Sequence, residues 1–332
     1  MKQGGSVLIN FSVLIPVYNK EHPEYFKQTL QSTIDQTVKP SEIVIVKDGI
    51  LTEELENVIK EFVNGNKIKI KIIPLEKNIG TGGALAIGVN ECSYDYIARL
   101  DSDDIAKNNR FELQTLFFEK NPEIDIISGY IEEFSENANK KNHIRKVPIT
   151  DTEIKKYIKY RSPFNHSAVM YKKESILKIG NYSNLRKMED YDLWIRAVKN
   201  NLKLHNVPEI LLNVRVGNDT YKKRGGLKYI GTILYTQRQL KNNGIITTLE
   251  QIRNVLLRGG VAIMPYELRK CIYLNFLRGE TSNERKNNGN NECIQWKGWI
   301  FKISNRKHFK SNLQGFHFCY SRRSEQQMKI KQ

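Results

Sequence analysis

From Phe11 onward the chain switches between two kinds of apolar spacing. FSVLIPV (11–17) is a short run dominated by apolar residues, the pattern of a strand covered on both faces. EYFKQTLQSTIDQ (24–36) spaces its apolar residues three and four apart, and His22-Pro23 before it suits a helix start. SEIVIVKDG (41–49) reads as a second strand ending in a turn, and LTEELENVIKEFVNG (51–65) as a helix closed by Gly65. KIKIKIIPL (67–75) alternates as a strand, TGGALAIGVNECS (81–93) is a helix after a glycine-rich turn, and YDYIARL (94–100) is a fourth strand. Strand and helix in strict alternation predict an α/β fold, with parallel strands joined by right-handed crossovers. Ligands in such sheets bind beyond the carboxyl ends of the strands. Pro16–Asn19, Lys47–Gly49 and Asp101–Asp104 are the ends expected to converge there.

After residue 107 the pattern loosens. Residues 108–122 predict a helix, 123–134 a strand, 150–160 a helix, 164–173 a strand and 189–201 a helix with one mostly apolar face. LKLHNVPEILLNVRV (202–216) predicts a strand pair broken at Pro208. Beyond 225 the chain reads as helical. PYELRKCIYLNFLRG (265–279) stacks Leu268, Ile272 and Phe276 on one face, with Arg269, Lys270 and Arg278 elsewhere. Two readings stand for it: a basic amphipathic helix on a membrane surface, or a helix packed on its own domain. Residues 281–332 contain no Ala, Val, Pro or Asp and show no period. A basic tail and out-of-frame sequence after an interrupted reading frame both fit that composition. The expected division is therefore 1–222 (about 1–107 and 108–222), a helical extension over 223–280, and the tail 281–332.

Composition changes this picture in two respects. No apolar run approaches the roughly 18–20 residues that span a bilayer, and the first residues lack a signal-peptide pattern. With four scattered cysteines and no CxxC pair, a cytoplasmic protein with free thiols is expected. The formal charge of +17 is also uneven. Residues 218–332 hold 22 Lys+Arg against 7 Asp+Glu, whereas residues 1–217 hold 31 against 29. A neutral front and a basic rear argue against a basic active site and for a basic attachment surface.

In that neutral front, LDSDD crowds Asp101, Asp103 and Asp104 behind a strand. They either decorate a turn that caps the helix at 108 or hold a cation. Hard divalent cations take carboxylate oxygens and keep several waters, so one or two protein acids suffice. A second acidic group, MEDYDLWIRA, opens a helix. Acids there serve as helix caps or as a general base.

FSVLIPVYN, VIVKDG, EKNIGTGGALAIG, ARLDSDD, NHSAVMY and MEDYDLWIRA, in that order, resemble the family 2 glycosyltransferases, in particular the bacterial enzymes of capsule, exopolysaccharide and O-antigen assembly. The resemblance covers roughly residues 10–230. It implies a GT-A fold, Rossmann-like with a mostly parallel central sheet flanked by helices, to which the helical pattern and charge beyond residue 225 add a basic helical C-terminal extension. It also implies a nucleotide-sugar donor (UDP being the expected nucleotide), Mn²⁺ or Mg²⁺, and inversion at the anomeric carbon. By the resemblance Asp103 is the metal ligand, and Asp101 meets the ribose, or the metal through water. Asp190 is the base, with Glu189 as alternate or acceptor-positioning residue. Pro16, Val17, Tyr18 and Asn19 lie where the family holds base and ribose, and Asp48 matches its uracil-contacting Asp, although Lys47 stands where a further Asp is usual. Lys77 and Asn78, before the Gly80–Gly83 turn, read either as an approach to the donor or as part of a tight strand-to-helix turn. His166 reads either as a contact to diphosphate, acceptor or metal, or as a buried histidine satisfied by backbone. Arg224 in KKRGG reads as a closing basic loop or a solvated one. Trp194 is expected to pack its helix, with a sugar platform as the alternative.

The implied partners are a lipid-linked saccharide acceptor and an anionic membrane, with the enzyme at the inner face of the cell membrane. Nucleic acid is not expected, because IFKISNRKHFK (300–310) interleaves basic and aromatic residues without a binding motif. The rivals are a nucleotidyltransferase and a non-catalytic basic binding protein derived from a transferase. The first wants a glycine-rich basic loop after the first strand, where this chain has PVYNKEHPE.

Overall fold

The computed structural model describes residues 9–135, 143–185, 188–216, 225–272, 293–296, 299–302 and 319–322. The chain divides into two compact units, Met1–Gly279 and Glu280–Gln332.

In the first unit the early alternation is realised: β1 (Phe11–Val17), α1 (Pro23–Ile34), β2 (Glu42–Lys47), α2 (Glu53–Gly65), β3 (Lys69–Pro74), α3 (Thr81–Glu91) and β4 (Tyr96–Arg99). Pro23 occupies the first turn of α1, where its missing N–H costs nothing. Thr52 caps α2 by accepting from the Leu55 amide. Then follow β5 (Ile105–Ala106), α4 (Arg110–Lys120), β6 (Ile126–Phe134), β7 (His143–Arg145), α5 (Asp151–Tyr157), a 3-10 turn (His166–Ala168), β8 (Met170–Lys172), α6 (Lys173–Lys178), α7 (Glu189–Lys199) and β9 (Leu204–Arg215). Helices α8 (Leu227–Asn242), α9 (Thr248–Ile263) and α10 (Tyr266–Ile272) complete the unit.

The sheet runs β3-β2-β1-β4-β8-β6-β9-β5, with β7 on β6. Its first four strands are parallel, as expected. The second half is mixed: β8 runs antiparallel to β4 and β6, while β6 and β9 are parallel. Both faces are covered. Val13, Ile15, Ile43 and Ile45 pack with Phe26, Leu30, Leu55 and Ile59, and Leu14, Val44 and Val46 pack with Ala84, Leu85 and Val89. All seven residues of β1 are buried for this reason.

Two expected elements differ. The strand over 164–173 is a 3-10 turn followed by three strand residues. Asn165 turns the chain by donating its side-chain amide to the Gly129 carbonyl at 2.7 Å, while Ser128 donates to the Asn165 carbonyl. The strand pair over 202–216 is one strand. Its register against β6 shifts between Gly129 and Ile131, and Pro208 and Glu209 fall in that bulge, where no ladder bond is needed from Pro208. Helix α10 answers the question left at 265–279 for its described turns. Arg269 is buried and donates to the Ala262 and Met264 carbonyls, so this helix packs on its own domain. Phe276 and Arg278 lie outside the described residues.

In the second unit, β10 (Cys293–Trp296), β11 (Trp299–Lys302) and β12 (Cys319–Arg322) form a three-stranded antiparallel sheet.

Candidate active site

The site begins where β1 and β4 part. Phe11 and Val17 carbonyls accept from the β2 side, and the Leu14 carbonyl accepts from Leu100. Even-numbered residues of β1 therefore face β4. That ladder ends at Leu14 and Arg99, so Pro16 sits where the missing N–H has no partner to lose. Val17 is buried, and Tyr18 and Asn19 are exposed. At the end of β2, the buried Asp48 carboxylate accepts from the Ile79 amide at 2.7 Å and the Gly80 amide at 3.0 Å. It thereby ties the β3–α3 turn to β2. Gly49 has φ +91°, and a Cβ there would meet the Asn78 amide at 2.9 Å. Lys47 pairs with Glu56 of α2. Lys77 and Asn78 are exposed, and Asn78 donates to the Asp48 carbonyl at 3.2 Å.

Beyond β4, oxygens of Asp101, Asp103 and Asp104 lie within 4.8 Å of one another. Arg99, the last residue of β4, is buried and grips Asp101 with both terminal nitrogens, one at 2.8 Å. Asp104 is buried and accepts from the Arg215 amide at 3.1 Å. Burial first, then Asp101 and Asp103, push its carboxyl well up. Burial, then Asp101 and Glu21, push the Asp103 carboxyl up to about 7. The loop is clamped from outside. Ser102 donates to Glu21 at 2.7 Å, and the Thr29 hydroxyl lies 2.9 and 2.8 Å from the Ser102 and Asp104 carbonyls. Arg215 lies 3.7 Å over the Tyr25 ring and 4.7 Å over Phe134, and donates to Gln28 at 2.9 Å. Helix α4 starts from Asn109 with no side-chain cap. The acids therefore face one another and two arginines, and the helix-cap reading is set aside.

The second acidic group reaches the same space. Glu189 and Asp190 open α7 behind Met188, which adopts the left-handed conformation at φ 66°. That is a strained backbone for a side-chain-bearing residue. Burial raises both carboxyls. Asp190 and then Asp101 raise Glu189 further, while the Tyr191 amide, Arg145 and Arg99 restrain Asp190. Arg99 thus acts on both carboxyls, and Asp101 on that of Glu189. The α3 glycines permit this approach. A Cβ on Gly82 would meet the Ser183 carbonyl at 2.4 Å and Glu189 Cβ at 3.0 Å. Asp192 is committed elsewhere, accepting from Ser183 at 2.9 Å and from Arg196.

His166 is not one of the three clustered acids' partners. Its Nε2 lies 3.0 Å from the Tyr182 hydroxyl, and burial with Arg99 holds its pKa well below the usual value. Its partner is a tyrosine, not backbone. Trp194 is fully buried, edge-on to Phe164 at 4.9 Å, which removes the sugar-platform alternative. Arg224 lies outside the described residues.

The profile of Glycosyl transferase family 2 matches residues 12–180, spanning β1, the acid cluster and the turn at His166. The chain belongs to this family. A galactosyltransferase of Escherichia coli, named UDP-Gal:alpha-D-GlcNAc-diphosphoundecaprenol beta-1,3-galactosyltransferase, is 39% identical over 268 residues, 81% of this chain and 96% of that protein. The amylovoran biosynthesis glycosyltransferase AmsE of Erwinia amylovora is 35% identical over 79% of this chain and 97% of its own. Among solved structures, S. aureus TarS in complex with UDP-GlcNAc superposes with a TM-score of 0.57 at 18% identity, covering 83% of this chain and 78% of that one. A Pyrobaculum calidifontis mannosyltransferase in complex with GDP-Man and Mn²⁺ gives 0.56 at 11%, covering 85% and 79%. These two establish the shared GT-A-type fold.

For a family 2 transferase the acid cluster suits a hard divalent cation. All its donors are carboxylate oxygens, and two of the three carboxyls are raised by burial and then by repulsion from neighbouring carboxylates, a repulsion that a cation relieves. Sequence reasoning missed the transferase's cationic frame, Arg99 and Arg215. Each is the lone charge in an apolar run, YIARL and ILLNVRV, and that was the available signal. It also missed Glu21 and Tyr182, whose spacing carries no pattern.

Proposed function

We propose that this transferase moves a sugar from a UDP-linked donor to a hydroxyl of a lipid-linked saccharide, with inversion, in surface polysaccharide assembly at the inner face of the cell membrane. The observation that carries this reading is the acid cluster gripped by the buried Arg99 at the end of β4, with Glu189 of α7 packed against the first turn of α3, which Asp48 ties to the end of β2. The E. coli relative's name supports the UDP donor and the lipid-linked acceptor.

Asp103 and Asp101 would hold Mn²⁺ or Mg²⁺, with Arg99 fixing the Asp101 carboxylate, and the ion would supply positive charge to the departing diphosphate. Tyr18 and Asn19, exposed at the end of β1, receive the nucleotide. Asp190 takes the acceptor hydroxyl proton. The acceptor oxygen bonds the anomeric carbon as the bond from that carbon to the phosphate oxygen breaks, and the electron pair leaves with UDP. One displacement inverts the centre, so one carboxylate suffices. Burial raises the Asp190 carboxyl and so makes it a stronger base than a solvated aspartate. Glu189 stands beside it to position the acceptor.

The test supplies UDP-sugars, UDP-galactose first, with Mn²⁺ and a GlcNAc-diphospholipid, and reads the product and its anomeric configuration. Transfer with inversion is expected, and a retained configuration or product from no nucleotide sugar contradicts the reading. Asp190→Asn should bind donor normally and transfer about 10²–10⁴-fold more slowly. Near-normal transfer removes Asp190 as the base.

A further inference from the structure

Helix α9 is turned with a polar residue inward and aliphatic residues outward. Inward, the buried Asn254 donates to the Lys159 carbonyl at 3.1 Å and to the Gln237 side-chain oxygen at 3.0 Å. Outward, Leu249, Ile252, Leu256 and Ile263 are 80%, 52%, 69% and 70% exposed. At the helical turn per residue these four fall within an arc of about 60°. The orientation is specified by the sequence. Thr247 and Glu250 form a capping box, Glu250 pairs with Lys159 at 3.1 Å, and Ala262 is buried behind the stripe. An apolar stripe held outward in this way is built to meet another surface.

Charge identifies the surface. Arg253 is exposed at the border of the stripe, and α8 exposes Arg238 and Lys241 beside Leu234. Residues 225–272 carry seven Lys+Arg against two Asp+Glu; of these Arg269 is buried, and Glu250 is engaged by Lys159. A two-fold contact between copies would set this patch against itself, cation facing cation. Anionic headgroups accept the cations while acyl chains take the Leu and Ile side chains. We propose that the outer face of α9, Leu249, Ile252, Leu256 and Ile263, seats the protein on an anionic lipid surface. Helix α9 packs on α8, and α8 packs on α7, which begins with Glu189 and Asp190. The purpose of this seat, delivery of a lipid-linked acceptor, rests on the function proposed above, but its test does not.

Flotation of the full chain with phosphatidylcholine vesicles, with and without phosphatidylglycerol, reads the seat directly. High salt screens the basic residues of the second unit and isolates apolar insertion. The wild type should float with the anionic vesicles and keep part of that binding in high salt. The double variant L249S/L256S should bind more than about tenfold more weakly with an unchanged melting temperature. Should that variant fold poorly, Leu256→Trp keeps the face apolar, and its emission should shift to the blue on adding anionic vesicles, beyond any shift in the wild type. Equal binding of folded L249S/L256S, or no blue shift of Leu256→Trp, overturns the proposal. So does a wild-type dimer, seen by light scattering, that L249S/L256S converts to monomer. Donor binding measured alongside separates the two readings: vesicle binding without nucleotide-sugar binding would sink the transferase mechanism and leave the seat standing.

Discussion

Arg99 ends β4 with its guanidinium buried beneath three carboxylates, and its charge reaches Glu189, Asp190 and His166 as well. A buried cation is tolerable only when paired, and Asp101 supplies the bidentate partner. Replacement by Met leaves Asp101 unpaired beside Asp103 and Asp104. Because Asp101 is partly solvated, Arg99→Met should cost about 1.5–3 kcal/mol in a urea titration. A loss under about 1 kcal/mol would place Arg99 with ordinary surface pairs and remove it as the frame of the site. Arg99→Lys keeps the charge without the planar fork, and should recover only part of the loss. Arg215 does comparable work from the other side, stacked between Tyr25 and Phe134 while its amide holds Asp104.

At the scale of elements, the site depends on α3 and α7 meeting at their first turns. Gly82 has no room for a Cβ between the Ser183 carbonyl and Glu189. Gly82→Ala should destabilise by about 1–3 kcal/mol, as overpacking does, and should slow transfer more than it weakens donor binding. Unchanged stability and rate would show that the two helices have slack. The order of strands and helices through β4 was legible because each run has one clear period and a turn residue behind it. The 3-10 turn at His166 was not, because its cause is the Asn165 bond to Gly129 on a distant strand. Nor was the continuity of β9, since a bulge opposite Gly129 absorbs a proline that locally reads as a break. In the site, the acids were legible as a cluster at a strand end. Their cationic frame was not, because a single Arg in an apolar run has no partner until the sheet is assembled. Asp48 shows the converse: the resemblance placed it at the nucleotide base, and no pattern in the sequence showed that its carboxylate also holds two backbone amides of the β3–α3 turn.

Across the whole molecule, charge and fold divide in related ways. The near-neutral first 217 residues build the sheet and the acidic cleft, and the basic excess lies in the helices and second unit that follow. No helix among the described residues is long and apolar enough to cross a membrane. The sheet, the acid cluster and α7 all belong to the first unit, Met1–Gly279. A chain ending at Gly279 should therefore keep nucleotide-sugar binding and donor hydrolysis at the full-length level. Loss of both, in a truncated chain that still melts cooperatively, would give the second unit a part in the reaction. The central claim, that the acid cluster seats a cation for the donor's diphosphate, is tested most directly by calorimetric titration of UDP with and without Mn²⁺, in the wild type and in Asp103→Asn. The Asp103 carboxyl, at about 7 before metal binds, must lose its proton to ligate. Mn²⁺-dependent affinity should thus be full at pH 8, fall by up to about tenfold at pH 6, and vanish in Asp103→Asn at either pH. UDP binding that ignores Mn²⁺, or that Asp103→Asn retains at the wild-type level, would contradict the account.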